Sequence, residues 1–417
     1  MKFHKDSYFN KQALYPALIP TAPESHLNIC IVIPCYNEKN IEPTIQSIID
    51  CNHIMQGTEI IVIINASERD SEDVKIENRR THRKILAMKE ENENYYLKIY
   101  PILLNDLKHK KSGVGAARKT GMDEAALRFS LVNNLNGIIV CLDADSIVQE
   151  NYLEEIKLFF INYPKCPAAS IHFEHPIDGE GYSEVILASI VKYELHLRYY
   201  IEAKKWAGLP YAFQTVGSSM AVRANAYMKQ GGMNTRRAGE DFYFLHKFTM
   251  DENFKELKTT TVIPSPRQSD RVPFGTGKAV TEIMDNSFKY TTYNPKSIVT
   301  LKEIVRAVPS MYLNEGNWQS ELHEGFIDFY NSLDGDSKLE EIRSNTTNYQ
   351  AFKKRFYDWF GAFRCMKYLH YMRDNHYPNL PVKQAAGWLL DRYSEDSHDN
   401  LDEKELLFKF RAKAKSK

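Results

Sequence analysis

Two carboxylates one residue apart follow an apolar stretch in the first half of the chain. Residues 137–142 have the length and composition of a buried strand, and Asp143 and Asp145 come directly after them. Two such acids repel each other, and a cation or a phosphate ligand between them would relieve the repulsion. A turn is the alternative, with Asp145 and Ser146 capping the helix that follows. The pair therefore indicates either a metal site or a helix-starting turn.

A second acidic cluster lies much further along the chain. Glu240 and Asp241 follow a glycine, and two arginines precede that glycine. Acidic residues are favoured at the start of any helix, which is a sufficient structural explanation. A carboxylate there could also act as a general base, with the arginines binding anions. Taken together, the two clusters would let a metal hold a diphosphate leaving group while a carboxylate takes a proton from an incoming hydroxyl.

Strand patterns that alternate with helical patterns surround these clusters. The strand patterns cover residues 28–34, 59–65, 97–104 and 137–142, and the helical ones residues 71–94 and 113–129. This alternation predicts an α/β fold, with a mostly parallel sheet flanked by helices. Ligands of such sheets bind beyond the carboxyl ends of the strands. Asn65 and Asp143 both lie at a predicted carboxyl end, so the fold and the motif point to the same edge.

The pattern changes near residue 280. Before it, a short β-branched strand over residues 259–263 leads into a segment rich in proline and glycine. After it, the sequence is helical and aromatic-rich without a clear strand. We predict an N-terminal extension over 1–27, an α/β domain over 28–280 and a mainly helical C-terminal region over 281–417.

Composition excludes several classes of protein. The chain has 54 lysines plus arginines and 54 aspartates plus glutamates, a formal net charge of zero that argues against a nucleic-acid partner. No apolar stretch approaches about 18 residues, and the N-terminus has no signal-peptide core, so we expect no transmembrane segment. The six cysteines lack C-x-x-C spacing and fit reduced thiols in the cytoplasm. Contact with the inner face of the membrane is left open.

The order of five motifs resembles that of family-2-type glycosyltransferases with the GT-A fold, over about residues 28–280. The five are the opening strand at 31–38, the end of the nucleotide-base strand at 63–67, a G-x-A-x-x-R-N-x-G helix at 113–121, the D-x-D at 143–145 and the E-D element at 239–241. Residues 217–223 also resemble the strand that precedes the last of these. Each motif is weak alone, but together in this order they are specific.

The resemblance implies an inverting transfer of a sugar from a nucleoside diphosphate to an acceptor hydroxyl, with Mg²⁺ or Mn²⁺ as cofactor. By position, Asp145 would hold the metal together with Asp143, and Asp241 would be the general base, with Glu240 a second candidate. The donor-binding positions would be Pro34, Tyr36, Glu38, Asn65, Ser67, Arg118, Asp143 and Ala144. The acceptor would be a glycan or a lipid-linked molecule of cell-surface polysaccharide biosynthesis.

Three departures from the family pattern affect these expectations. Asn65 stands where many relatives have aspartate, which leaves the donor nucleotide open, although we favour a UDP-sugar. Lys119 replaces the common asparagine. A Q-x-x-R-W-like element at 268–272 has valine in place of tryptophan, so we do not expect processive synthesis. Arg267 and Arg271 in this segment could neutralise the diphosphate, or they could be solvated loop arginines.

Two other functions remain to be weighed. A sugar-nucleotide nucleotidyltransferase shares the nucleotide-binding α/β fold, but it would need a glycine-rich basic loop after the first strand, where this chain has P-C-Y-N-E. A non-catalytic nucleotide-sugar-binding scaffold would not need intact acids, and here Asp143, Asp145 and Asp241 are all present.

Overall fold

The computed structural model describes residues 5–52, 57–92, 96–179, 181–269, 275–287, 289–314, 316–394 and 397–416. The chain forms two compact units. The first contains residues Met1–Pro176 and Thr215–Gly275, and the second contains residues Ile177–Gln214 and Thr276–Lys417.

The first unit is built on one eight-stranded sheet with strand order β3-β2-β1-β4-β7-β6-β8-β5. Its strands are β1 (Ile29–Cys35), β2 (Thr58–Ser67), β3 (Leu97–Leu107), β4 (Ile138–Cys141), β5 (Ile147–Val148), β6 (Ala168–Phe173), β7 (Met220–Arg223) and β8 (Lys255–Ile263). Its helices are α1 (Lys5–Lys11), α2 (Glu42–Ile49), α3 (Glu72–Glu91), α4 (Val114–Leu131), α5 (Tyr152–Asn162), α7 (Ala224–Lys229) and α8 (Glu240–Leu245).

The predicted α/β sheet is confirmed, and its first four strands in spatial order, from β3 at the edge to β4, are parallel. Strands β1 and β2 are buried along their whole length, as expected for apolar strands covered on both faces. β1 pairs in parallel with β2 and β4, and β2 pairs in parallel with β3. The direction reverses at β7, which runs antiparallel to β4 and β6. The carboxyl ends of β1, β2 and β4 therefore meet at one edge of the sheet.

Helix α4 is buried on its polar side as well as its apolar one. The segment before β1 covers three of its charged residues and forms hydrogen bonds with them. The contacts are Tyr8 Oη to Asp123 at 2.6 Å, the Leu18 N–H to Glu124 at 2.9 Å, and Arg128 Nη1 to the Thr21 carbonyl at 2.8 Å. Buried charged groups need such partners, because unpaired ones are costly. The N-terminal segment is therefore part of the first unit's core.

Some elements differ from the predicted ones. The helix after the D-x-D begins only at Tyr152 with Asn151 at its N-cap, and the two-residue strand β5 precedes it. Asp145 and Ser146 therefore do not cap it, and that part of the turn interpretation is wrong.

The second unit is mainly helical. Its helices are α6 (Glu184–Ala207), α9 (Thr276–Asp285), α10 (Pro295–Leu313), α11 (Glu324–Asn331), α12 (Gly335–Ser344), α13 (Tyr349–Trp359), α14 (Ala362–Asn375), α15 (Val382–Leu390) and α16 (Glu403–Lys415). The short strands β9 (Thr291–Thr292) and β10 (Leu380–Pro381) pair antiparallel, which the sequence did not indicate. In the part of the chain that the structure describes, no helix is long and apolar enough to cross a membrane.

Two arginines of the second unit converge on one glutamate. Arg198 Nη2 lies 3.0 Å from Glu194 on the same helix, and Arg411 Nη2 on α16 lies 2.7 Å from it. All three side chains are buried. We call Glu194, Arg198 and Arg411 the helical ion cluster. It joins α16 to α6, the helix on which it packs.

Candidate active site

The D-x-D residues form a tight turn directly after β4. The Ser146 N–H donates to the Asp143 carbonyl at 3.1 Å, and Thr44 Oγ1 on α2 donates to the Ala144 carbonyl at 3.0 Å. Ala144 is buried, whereas the side chains of Asp143 and Asp145 are 38% and 32% exposed. The segment is thus a turn that is anchored by its middle residue and presents both carboxylates to solvent.

Arg118 connects the two acidic clusters that are far apart in sequence. Its guanidinium, buried on α4, forms ion pairs with Asp143 and with Glu240. Gly217 makes room for it, since a Cβ atom there would lie only 2.5 Å from the guanidinium nitrogens. Arg118, expected to approach the donor, is therefore held by carboxylates in this structure.

Glu240 and Asp241 begin α8 but have different environments. Gly239, at φ +70°, adopts the left-handed conformation that turns the chain into this helix. The Glu240 carboxylate is buried and engaged by Arg118. Asp241 is only half-buried, and its Oδ1 accepts the N–H of Phe242 at 2.7 Å. Asp241 is thus the more accessible of the two carboxylates.

The pKa values of both acids are raised. Burial raises the pKa of Asp241 above its ordinary value, while the positive charge of Arg118 opposes this effect. Burial likewise raises the pKa of Glu240, again against Arg118. Asp143 adds a further negative charge that works in the same direction as burial. A carboxylate with a raised pKa is a better proton acceptor near neutral pH than an ordinary one.

Arg267 follows β8 and lies between two carboxylates. Its Nη1 is 3.0 Å from Glu38 Oε1, its Nη2 also contacts the other oxygen of Glu38, and the same Nη2 is 2.8 Å from Asp145 Oδ2. Glu38 is completely buried. Burial lowers the pKa of Arg267, but the two carboxylates outweigh it and raise that pKa above its ordinary value. The guanidinium is charged throughout the physiological pH range.

These residues form a negatively charged edge of the sheet. We call Glu38, Asp143, Asp145, Glu240 and Asp241, with Arg118 and Arg267, the acidic edge. Among its described residues, five carboxylates face two guanidinium groups. The neighbouring carboxylates add to the effect of burial in raising the pKa values of Glu240 and Asp241, and they favour a cationic ligand.

The chemistry of this edge fits a hard divalent cation that brings other ligands with it. The described residues contain no group of three or more histidine, cysteine or acidic side chains arranged to hold a metal alone. Asp145 and Asp143 supply partly exposed carboxylate oxygens, and the guanidinium of Arg267 is a stand-in cation at Asp145. Mg²⁺ commonly binds through one or two carboxylates plus phosphate oxygens and water. The residues present suit that arrangement.

The remaining predicted donor residues lie at the carboxyl ends of β1 and β2. Pro34 pairs with Ile63 inside the sheet. Tyr36 Oη donates to Asp70 at 3.2 Å, and Asp70 also accepts the Ser67 N–H at 2.6 Å. Asp70 thus links two predicted positions, although no motif singled it out.

Asn65 reaches the start of α4. Its side-chain amide donates to the Gly113 carbonyl at 3.2 Å, so it joins the end of β2 to the glycine-containing helix start. An aspartate could not make this bond, because an ionised carboxylate has no donor. Arg271, the second arginine predicted to neutralise a diphosphate, lies outside the described residues.

Comparison with known proteins identifies part of the chain. Residues 30–223, a little under half of it, match the family model described as glycosyl transferase family 2. None of the curated protein sequences matches the chain.

Several solved structures resemble it at low identity. TarS 1-349 of S. aureus in complex with UDP-GlcNAc is 13% identical, with a TM-score of 0.39 over 70% of this chain and 78% of that chain. A second structure of S. aureus TarS 1-349 is 15% identical, with a TM-score of 0.36 over 56% of this chain and 60% of that one. The mannosyltransferase PcManGT from Pyrobaculum calidifontis, in complex with GDP-Man and Mn²⁺, is 12% identical, with a TM-score of 0.37 over 88% of this chain and 90% of that one.

The family match covers four of the five motifs named in the sequence analysis, from the first strand to the D-x-D, and it extends through β7. The predicted sheet is also present. Residues 30–223 are therefore similar to glycosyl transferases of family 2.

Proposed function

We propose that this chain is an inverting, metal-dependent glycosyltransferase that moves a sugar from a nucleoside-diphosphate sugar to an acceptor hydroxyl. The observation that carries the proposal is the acidic edge, in which Arg118 brings the D-x-D together with Glu240-Asp241 at the carboxyl ends of the central strands. An inverting displacement needs one base and a stabilised leaving group on opposite sides of the reacting carbon. The edge offers both kinds of group.

Asp241 is the base in this proposal. It is accessible, its pKa is raised, and its Oδ1 is oriented by the Phe242 N–H. Within hydrogen-bond reach of an acceptor hydroxyl, it would take the proton as the new glycosidic bond forms and the bond to the diphosphate breaks. Glu240, which the sequence offered as a second candidate, is committed to Arg118 and would hold that arginine in place.

Asp145, with Asp143 beside it, would hold the cation, for which Mg²⁺ and Mn²⁺ are the candidates. When bound, the cation neutralises charge on the diphosphate leaving group. Arg267 would add a guanidinium suited to phosphate oxygens. Tyr36 and Ser67, tied together by Asp70, would line the nucleotide side of the pocket with Asn65.

For the donor nucleotide and the acceptor, we propose classes of molecule rather than single compounds. UDP-sugars are the first donors to test and GDP-sugars the second, since Asn65 departs from the aspartate of many relatives. For the acceptor we propose a glycan or lipid-linked molecule of cell-surface polysaccharide synthesis on the cytoplasmic side of the membrane. This choice rests on the family alone, because no described residue is assigned to acceptor binding.

The decisive experiment measures donor hydrolysis and thermal shift across UDP-, GDP- and dTDP-sugars, with and without Mn²⁺. We expect one nucleotide to stabilise the protein and its sugar to be released slowly, both only with the metal. No metal-dependent response to any donor would refute the enzyme proposal. Release of pyrophosphate from a nucleoside triphosphate and a sugar 1-phosphate would instead identify a nucleotidyltransferase, and donor binding without any turnover would indicate a scaffold.

A further inference from the structure

Arg267 contacts one of the two carboxylate oxygens of Asp145, the residue predicted to hold a cation. Its Nη2 lies 2.8 Å from Asp145 Oδ2, and the rest of its guanidinium holds the buried Glu38. The side chains of Arg267 and Asp145 are 30% and 32% exposed. One side of this ion pair therefore faces solvent, from which a ligand can reach it.

Pairing with Glu38 alone does not explain the contact with Asp145. Elsewhere in the same unit, Arg128 neutralises the buried Glu59 with Nη2 2.6 Å from Oε1, and both side chains are almost fully buried. Arg267 makes the equivalent contact with Glu38 and then reaches a second, exposed carboxylate. The partner in that second contact, Asp145, is the predicted metal ligand.

The bonding of Arg267 in this position is also incomplete. Its Nε–H is buried and has no hydrogen-bond partner among the described residues. A buried donor without a partner costs about 1–3 kcal/mol. A ligand with several acceptor oxygens near the guanidinium would offer this arginine a better set of partners than Asp145 alone.

A guanidinium and a divalent cation cannot share Asp145 without penalty. Both would lie against the same carboxylate, and two positive groups that close together repel each other strongly in a partly buried site. A diphosphate changes this balance, because it gives the displaced arginine new anionic oxygens. Metal binding and nucleotide binding at this edge then favour each other, and the coupling is reciprocal.

We propose that Arg267 is the counter-ion of Asp145 in the donor-free protein and competes with the divalent cation for it, so that the cation binds together with the nucleoside diphosphate and only weakly before it. The inference rests on the proposed function, since it assumes that the donor and the metal meet at Asp145. Arg267 is thereby a positioning residue that sets the order of binding.

The test measures Mn²⁺ binding to the full chain by electron paramagnetic resonance of the free ion, with and without UDP or GDP. For Arg267→Gln we expect Mn²⁺ alone to bind at least tenfold more tightly than to the wild type. In the wild type we expect one of the two nucleotides to tighten Mn²⁺ binding at least tenfold, and we expect this enhancement to shrink in the variant. Arg80→Gln removes the same charge from a side chain that is 61% exposed on α3, and it should behave as the wild type.

A second variant guards against misfolding, because Arg267→Gln leaves Glu38 buried without its cation. The double variant Glu38→Gln/Arg267→Gln removes both charges and should show the same gain in Mn²⁺ affinity. Unchanged or undetectable Mn²⁺ binding in both variants would overturn the inference, as would wild-type Mn²⁺ binding that is indifferent to both nucleotides. Tighter Mn²⁺ binding without Arg267, in a protein that turns over no donor, would refute the proposed function alone.

Discussion

Two groups of charged side chains in this molecule differ in their ratio of positive to negative charge. In the helical ion cluster, two arginines surround Glu194, and all three side chains are buried. In the acidic edge, five carboxylates share two arginines, and several of them are partly exposed. The first cluster satisfies its central group from within the protein, whereas the second leaves negative charge over. In our proposal, a metal ion supplies positive charge at the acidic edge.

In the acidic edge, the large effect of a substitution should be on activity, and Asp241→Asn tests this. The amide cannot accept the proton of the acceptor hydroxyl, so transfer should fall by about 100-fold or more, the usual contribution of a general base. Donor affinity should stay nearly unchanged, because Asp241 is not a proposed metal or nucleotide contact. Steady-state rates and calorimetric titration with the nucleotide measure the two effects.

The matched variants for this prediction are Asp145→Asn and Asp73→Asn. The first should weaken donor binding itself, and the second alters an exposed carboxylate of α3 and should change neither quantity. Equal losses of donor affinity in Asp241→Asn and Asp145→Asn would contradict the division of roles within the acidic edge.

In the helical ion cluster, the large effect should be on stability. Glu194→Ala leaves the guanidiniums of Arg198 and Arg411 buried without their anion, and breaking a buried pair in this way costs about 3–5 kcal/mol. Chemical denaturation followed by circular dichroism measures the loss. Nucleotide affinity of the folded fraction should be retained, and a stability close to that of the wild type would show that water or other groups can replace Glu194.

Asp241→Asn should also raise the free energy of unfolding at alkaline pH. This gain should be smaller than the loss that Glu194→Ala causes. The pKa of Asp241 is higher in the folded than in the unfolded state, so the folded protein binds its proton more tightly and loses stability as pH rises through that folded pKa. The asparagine variant has no such loss. Its melting temperature should exceed that of the wild type at pH 8, and the difference should shrink towards pH 5. A lower melting temperature at pH 8 would mean that the attraction of Arg118 outweighs burial.

The smallest effect is expected at the start of α16, the helix that carries Arg411. Asp402 caps this helix by accepting the Glu405 N–H at 2.8 Å, while the Glu405 side chain accepts the Asp402 N–H at 2.8 Å. Asp402→Ala removes one half of this capping box and should cost about 1 kcal/mol. Thermal denaturation checks it, and a loss as large as that of Glu194→Ala would show that the cap and the ion cluster act as one.

The sequence predicts best what depends on local pattern. The apolar strands β1, β2 and β4 are readable because burial on both faces requires uninterrupted apolar residues, and the edge they share then follows from their parallel order. The position of Asp143 and Asp145 after β4 follows from the same pattern. The two-residue strands β5 and β9 escape it, because so short a segment carries no periodicity.

Pairing between distant side chains is what the sequence does not reveal. Arg118 is recognisable from its motif as a residue near the donor, yet nothing in its neighbourhood indicates that it binds Glu240 as well as Asp143. The contact of Arg267 with Glu38 likewise joins two residues that are 229 positions apart in the sequence. Such pairs depend on three-dimensional distances, which a single sequence does not encode in a readable form.

The N-terminal segment over α4 has a practical consequence for anyone who handles this protein. A shortened version that begins at β1 would retain the whole sheet, but Asp123 would lose Tyr8 and Glu124 would lose Leu18. Those charges would then be solvated on the outside of the helix whose first turns carry Arg118. Affinity tags and truncations are therefore best planned around an intact segment from residue 5 onward, because it shields the back of the helix that carries Arg118 of the acidic edge.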